Sequence, residues 1–264
     1  MDENKILYAD NLVIGNDGRA LTKKMSFRIG VGECILLCGA NGIGKSTLLR
    51  TLAGVIPAVS GEIVMRGRSS RVILVPARIP KVPGFSVTDF VATSCYRESD
   101  WLGRLPAKIR SRILETLETL GIGHLAARDI SSLSDGELQK AAIATALLQQ
   151  AEVILLDEPT AFLDVDSRES ALCTLREVAL GKQVSIIFSS HDIHTAEKYC
   201  TRVFGMRVGD DSDMGNGRSL AELNPSTEHR YLAELIDTGP GCTREQRDAV
   251  FSRCFRYWGE DSEN

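Results

Sequence analysis

The sequence predicts an α/β protein with a mostly parallel sheet at its core, N-terminal antiparallel strands and an inserted helical segment. Two observations carry this expectation. Apolar runs of strand length, Cys34–Cys38, Val153–Leu156 and Val184–Phe188, alternate with segments of helical pattern. Strands that are apolar on both faces and alternate with helices belong to parallel sheets covered on both sides. Near the N-terminus, by contrast, two strand-like stretches are joined by a turn, which suits antiparallel pairing.

The elements follow in order. Lys5–Val13 and Leu21–Ile29 are predicted strands around the turn Gly15-Asn16-Asp17-Gly18. Cys34–Cys38 is a short strand running into a glycine-rich loop, and Ser46–Leu52 is a helix. Strands follow near Glu62–Met65 and Val72–Val75. Between Ala77 and Ser134 the character changes: prolines 80, 83 and 106 interrupt the chain. Lys108–Leu120 is helical there, with Ile109, Ile113, Leu117 and Leu120 at helical spacing. Glu137–Gln150 is a second helix. Val153–Asp157 and Val184–Ser189 are buried strands, with a helix over about Ser167–Ala179 between them. Beyond Met206 the pattern weakens. Gly209–Arg218 is a loop by composition, and Thr227–Ile236 and Arg244–Trp258 have helical, amphipathic patterns.

Composition excludes several classes. The chain has 264 residues, 43% of them hydrophobic and 25% charged, enough for a sizeable core. A net charge of -4 argues against non-specific nucleic-acid binding. No apolar stretch reaches the roughly 18 residues that a membrane helix needs. The start, Met1-Asp2-Glu3-Asn4-Lys5, lacks the apolar core of a signal peptide, so a cytoplasmic location is expected. The seven cysteines are an odd number without zinc-site spacing, and buried, reduced thiols are expected.

Gly39-Ala40-Asn41-Gly42-Ile43-Gly44-Lys45-Ser46 fits the G-x-x-x-x-G-K-[ST] pattern of a phosphate-binding loop. Its glycines let backbone N–H groups curl around a phosphate without Cβ clashes. The helix behind it aims its positive end at the same oxygens. In this arrangement Lys45 reaches the β- and γ-phosphates, and the Ser46 hydroxyl binds Mg²⁺. Thr47 follows at the helix start.

The run Val153-Ile-Leu-Leu-Asp157-Glu158-Pro159-Thr160 ends a buried strand in two carboxylates. The carboxyl end of a parallel strand is where such sheets bind ligands. Asp157 there suits Mg²⁺, and Glu158 suits the proton of an attacking water. Ser189-Ser190-His191-Asp192 ends the next strand on the same edge, which points His191 at the γ-phosphate.

Leu133-Ser134-Asp135-Gly136-Glu137 precedes a helix, and Ser134 with Glu137 forms a capping box. The segment also resembles the Leu-Ser-Gly-Gly-Gln/Glu signature of ABC (ATP-binding cassette) ATPases. With the phosphate loop upstream and Asp157-Glu158-Pro159-Thr160 downstream, it identifies the chain over about residues 7–206 as a member of that family. The resemblance implies a cassette with a nucleotide-binding core at residues 1–76 and 135–206 and a helical subdomain at 77–134. Residues 207–264 form a C-terminal segment without an assigned role. It further implies an ATPase using ATP and Mg²⁺. Two cassettes, copies of one chain, pack head to tail by this resemblance, with Ser134, Asp135, Gly136 and Glu137 facing the other subunit's ATP. Asp164, in Ala161-Phe162-Leu163-Asp164, matches the loop that crosses the interface, and His191 matches the switch histidine. The implied partners are a separate integral membrane permease and, indirectly, a substrate-binding protein, with the cassette peripheral on the cytoplasmic face of the inner (plasma) membrane. Pro159–Asp164, Trp101-Leu-Gly-Arg-Leu105 and Ser134–Glu137 look like importer ATPases for iron–siderophore complexes, haem or cobalamin.

Three positions depart from the family pattern. Asn16 stands where an aromatic residue stacks on adenine, Ala77 where a coupling glutamine is usual, and Asp135 where the first signature glycine belongs. Each leaves an expectation: weaker base stacking, altered coupling, and a negative charge near the partner's phosphate. Two other readings are a soluble, non-transport ABC ATPase and a degenerate regulatory cassette. The intact Lys45, Asp157, Glu158 and His191 weigh against the second. The C-terminal stretch Thr243–Trp258 either packs on the core or serves as a dimer or regulatory helix.

Overall fold

The computed structural model describes residues 5–66, 71–208 and 232–255. A six-stranded sheet runs through it, built from β5 (Cys34–Gly39), β7 (Val72–Val75), β8 (Val153–Leu156), β9 (Ser185–Ser189), β10 (Arg202–Val208) and β11 (Ala233–Asp237). Their order in space is β11-β10-β5-β9-β8-β7, and every neighbouring pair is parallel except β10 with β11. A second sheet is antiparallel: β1 (Lys5–Val13) lies between β4 (Met25–Gly30) and β6 (Ser60–Met65).

The apolar runs explain the layering. Every residue of β5, β8 and β9 is buried. Successive side chains of a strand point to opposite faces, so each run feeds two cores. Ile35, Leu37, Val153, Leu155 and Ile187 pack with the antiparallel sheet and with α1 (Lys45–Leu52). Leu36, Cys38, Ile154, Leu156, Ile186 and Phe188 pack on the other face, under helices. These include α4 (Asp135–Leu148) and α5 (Val165–Lys182), whose Leu172, Leu175 and Val178 recur at helical spacing and are buried.

Between β7 and α4 come α2 (Val87–Ala92), a 3₁₀ turn at Thr93–Glu98 and α3 (Ala107–Thr119). The spaced Ile109, Ile113 and Leu117 are the buried face of α3, as their periodicity predicts. The sequence pattern did not reveal α2, which is only six residues long and is started by a capping box between Ser86 and Asp89. A short α6 (Ile193–Ala196) follows β9, and α7 (Arg244–Phe255) packs on the core through Val250. Among the described residues no helix is long and apolar enough to cross a membrane.

Two expectations need correction. The strand expected over Leu21–Ile29 begins only at Met25. Ahead of it, β3 (Arg19–Ala20) pairs with β2 (Gly15–Asn16), and Thr22 bridges Ala233. Within the stretch expected to be helical, Thr227–Ile236, the described part is strand β11. Leu232, Leu235 and Ile236 have helical spacing, but pairing along β10 overrides it, as tertiary context commonly overrides local pattern. The rest of that stretch, the expected loop Gly209–Arg218 and the end of the Arg244–Trp258 pattern lie outside the described residues. The cysteines are all free thiols. Four are buried, whereas Cys173 is exposed and Cys242 and Cys254 are half-buried.

One buried cation ties the two sheets together. Arg202 donates from Nε to Asp237 at 2.7 Å, from Nη1 to the Arg28 carbonyl at 2.7 Å and to Glu33 at 2.8 Å, and from Nη2 to Asp237. Its side chain is only 6% exposed. Removing one partner of a buried ion pair leaves uncompensated charge and costs about 3–5 kcal/mol. Arg202→Met is therefore expected to lower the unfolding free energy by about 3 kcal/mol in urea titrations. A loss below about 1 kcal/mol would mean that Glu33 and Asp237 are already solvated, as in surface pairs.

Candidate active site

The loop after β5 is shaped by glycine. At Gly39, φ is +147°, and a Cβ there would lie 2.5 Å from the Met206 carbonyl oxygen. Gly44, also at positive φ, begins α1 without a capping side chain. The first N–H groups of α1 thus have no helical acceptor and face the loop's hollow, the geometry that holds anions. Asn41 and Gly42 are exposed, Ala40, Ile43, Gly44, Ser46 and Thr47 half-buried, and Lys45 is buried.

Lys45 folds back on its own loop. Its Nζ donates to the Gly39 carbonyl at 2.7 Å and the Ala40 carbonyl at 3.1 Å. Burial lowers its pKa, while the charges of Glu158, Cys38 and Asp157 oppose that shift. A phosphate in the loop would add further negative charge and favour the ammonium form.

On the same sheet edge, Ser189 holds both acids in place. Its hydroxyl donates to Asp157 Oδ1 at 3.0 Å and accepts the Glu158 N–H at 2.8 Å. Glu158 has left-handed backbone geometry, φ +51°, uncommon for a residue with a side chain. This conformation turns the chain off β8. The Glu158 carboxylate lies 2.5 Å from His191 Nε2, so a proton on Nε2 is donated to Oε1. The structure thus brings Lys45, Asp157, Glu158 and His191 to one edge. Sequence reasoning gave Ser189 no role; the signal available was a polar residue closing an otherwise apolar strand.

The other expected residues sit at helix starts. Ser134 caps α4 by accepting the Glu137 N–H, while Glu137 accepts from the Ser134 N–H at 2.8 Å. That backbone bond, with the Ser134 hydroxyl, holds the Glu137 carboxyl below the usual range. Gly136 follows in the first turn of α4. Asp164 caps α5 by accepting the Ser167 N–H at 2.9 Å. The departing Asp135 is not an isolated charge, because Lys81 Nζ lies 2.9 Å from its Oδ1 and also donates to the Leu133 carbonyl. Ala77 is half-buried just beyond β7, and the next residue, Arg78, stacks over the Phe162 ring at 5.4 Å. Arg168 donates to Asp192 at 2.7 Å and to the Leu163 carbonyl at 3.2 Å. Lys81, Arg78 and Arg168 were not singled out from sequence, since their partners are distant along the chain. Asn16 is exposed in the β2–β3 ribbon.

A cleft of about 790 Å³ adjoins the site, between Gly39, Ala40 and Asn41, His191, and Phe251 and Phe255 of α7. Among the described residues no group of three or more His, Cys, Asp or Glu could hold a metal alone. Ser46 and Asp157 are hard-oxygen donors of the kind Mg²⁺ takes together with substrate phosphates.

The profile of a family described as "ABC transporter" matches residues 22–161. A phosphonates import ATP-binding protein of Trichormus variabilis is 33% identical over 210 residues, 74% of this chain and 86% of that protein. A cobalamin import ATP-binding protein of Halobacterium salinarum is 34% identical over 206 residues, 74% of this chain and 51% of that protein. In three dimensions the chain superposes on a structure described as a metal-chelate type ABC transporter in an inward-facing conformation. The TM-score is 0.72 at 24% identity, covering 94% of this chain and 89% of that one, a likeness of fold. The phosphate loop, the paired acids and these matches agree: the chain belongs to the ABC transporter family and is an ATP-binding cassette, an ATPase.

Proposed function

We propose that this cassette energises import through a separate membrane permease, on the cytoplasmic face of the inner membrane, as one of two identical copies. The observation that carries the ATPase part is the convergence of Lys45, Asp157, Glu158 and His191 on one sheet edge. Import is supported by the import proteins among its relatives. For the cargo we favour an iron complex, haem or cobalamin, delivered by a substrate-binding protein. The cobalamin import relative supports that choice. Phosphonate import is the second reading, supported by the Trichormus relative. The helical insertion at 77–134 would meet the permease. Its Tyr96, Trp101 and Leu102 are exposed, Trp101 to 91%, as apolar contact residues are before they dock.

In the proposed mechanism, Lys45 exchanges its bonds to Gly39 and Ala40 for phosphate oxygens. N–H groups of residues 42–47 cradle the β-phosphate. Ser46 and Asp157 would hold Mg²⁺, which supplies positive charge against the phosphates. Glu158 accepts the proton of the attacking water, and His191 orients that carboxylate and reaches the γ-phosphate. Ser134, Asp135, Gly136 and Glu137 of one copy face the nucleotide of the other, with Asp164 at the crossing. Lys81 offsets the Asp135 charge, so the departure from glycine need not repel the phosphate.

Three outcomes are expected. Glu158→Gln should cut turnover by about 10²–10⁴-fold yet retain ATP. Tagged Glu158→Gln protein with Mg-ATP should then recover a multi-span permease from native membranes; recovery of only soluble partners would overturn the transport reading. Ser189→Ala should lower turnover by roughly 10–100-fold, the range for lost support of a metal ligand, and unchanged turnover would remove Ser189 from the site. Lys81→Met should raise KM for ATP about two- to fivefold, the equivalent of an exposed ion pair, and Asp135→Gly in the same chain should restore it. A KM that the second change leaves raised would show that Lys81 acts through the Leu133 carbonyl instead.

A further inference from the structure

Cys38 and Cys254 are far apart in sequence and adjacent in space. Cys38, fully buried, is the residue immediately before Gly39 of the phosphate loop. In the parallel ladder its Cα partner on β10 is Gly205. A Cβ at Gly205 would lie 2.5 Å from both Cys254 Sγ and Val250 Cγ1 of α7. Glycine there leaves the space into which α7 settles, and so the Cys254 thiol reaches the strand row that holds Cys38. Both belong to one packed cluster, with Cys38 in its buried centre and Cys254 against it.

They are also chemically unequal. The neighbouring Cys38 thiol, followed by the Arg207 charge, lowers the Cys254 pKa against the effect of burial. The Cys254 thiol, then burial, raises that of Cys38. Cys254 is therefore the more acidic thiol of the two. Cys254 is half-buried, whereas Cys38 is fully buried. The other thiols differ: burial raises Cys34 and pushes Cys200 up to about 11, and the exposed Cys173 is raised as well. Thiolate character with partial exposure is what makes a cysteine reactive. None of the residues proposed for hydrolysis uses either sulfur.

We propose that Cys38 and Cys254 form a reversible disulfide that staples α7 to the strand carrying the phosphate loop and thereby controls nucleotide use. The oxidant is a small-molecule disulfide, RSSR. The Cys254 thiolate attacks one of its sulfurs, forming a mixed disulfide and releasing RS⁻, which is protonated. The Cys38 thiol then loses its proton and attacks the Cys254 sulfur, expelling the second RS⁻, which takes up a proton. In total, two protein thiols and RSSR give one protein disulfide and two RSH; the pair is oxidised and RSSR reduced. Dithiols reverse the exchange.

The consequence for the site follows from distance. The two sulfurs must close to about 2.05 Å in a disulfide, so either α7 or Cys38 moves. Gly39 has no slack, since it already lies against the Met206 carbonyl. The shift would also narrow the cleft between α7 and His191. A 1 Å misplacement costs roughly 100-fold in rate, so a loss of at least about tenfold is expected. This effect on turnover rests on the proposed ATPase mechanism; formation of the bond does not.

The test treats the full chain with oxidised glutathione, then maps disulfides by mass spectrometry of non-reduced peptides and measures ATP turnover. A peptide linking Cys38 to Cys254 is expected, with turnover at least about tenfold lower and restored by dithiothreitol. Cys254→Ser should remain active and insensitive to oxidant, and Cys173→Ser should behave as the parent. Oxidised chain without the Cys38–Cys254 peptide, or carrying it at unchanged turnover, would overturn the proposal. A reduced chain that forms the linkage but hydrolyses no ATP would instead count against the proposed hydrolytic site while supporting the staple.

Discussion

In the parallel register of the central strands, Leu36, Phe188, Leu156 and Val75 stand in one row, and Leu37 faces Ser189 in the next. From this row β8 ends at once, β9 one residue on and β5 three residues on, and the proposed site residues follow. β5 delivers the phosphate loop, β8 delivers Asp157 and Glu158, and β9 delivers Ser189 and, two residues on, His191. A shift of one strand by one residue would turn its inward side chains to the other face. It would also break the bonds by which Ser189 joins the two acids. The fully buried strands enforce this register, because each must satisfy two cores at once.

Around this fixed edge lie segments held by pairs of moderate strength. Lys81 with Asp135, Arg78 with Phe162 and Arg168 with Asp192 join the chain after β7, the start of α4, the turn before α5 and the segment after β9. Lys81 and Asp135 are both more than a third exposed, so their pair is worth at most about 1 kcal/mol. Such contacts can be exchanged at little cost. The buried Arg202 network is of the opposite kind: it has four protein acceptor contacts and little exposure, and it belongs to the scaffold.

The helix α7 gives the C-terminal segment a place if not yet a demonstrated task. It lies on β10 because Gly205 has no side chain, and its Phe251 and Phe255 form one wall of the cleft beside the phosphate loop. An element that is distant in sequence thereby becomes a neighbour of the loop's first residue. Packing, rather than any motif, places it there.

The sequence by itself determined the strands that form the sheet's centre, because residues buried on both faces must be apolar throughout. It also determined the phosphate loop, because only glycines and one lysine at that spacing can wrap a phosphate. The acids after Leu156, the capping box at Ser134 and the buried face of α3 were legible for similarly local reasons. Tertiary structure alone decided the rest. The strand at Ala233–Asp237 exists because β10 offers it an edge, against a helical spacing in its own residues. Ser189 became the support of both acids only when β8 and β9 aligned, and Lys81 became the counter-charge of Asp135 only across 54 residues of chain (135 minus 81). Local pattern records what each segment must bury; which distant groups then meet depends on the packed register, which no single segment encodes.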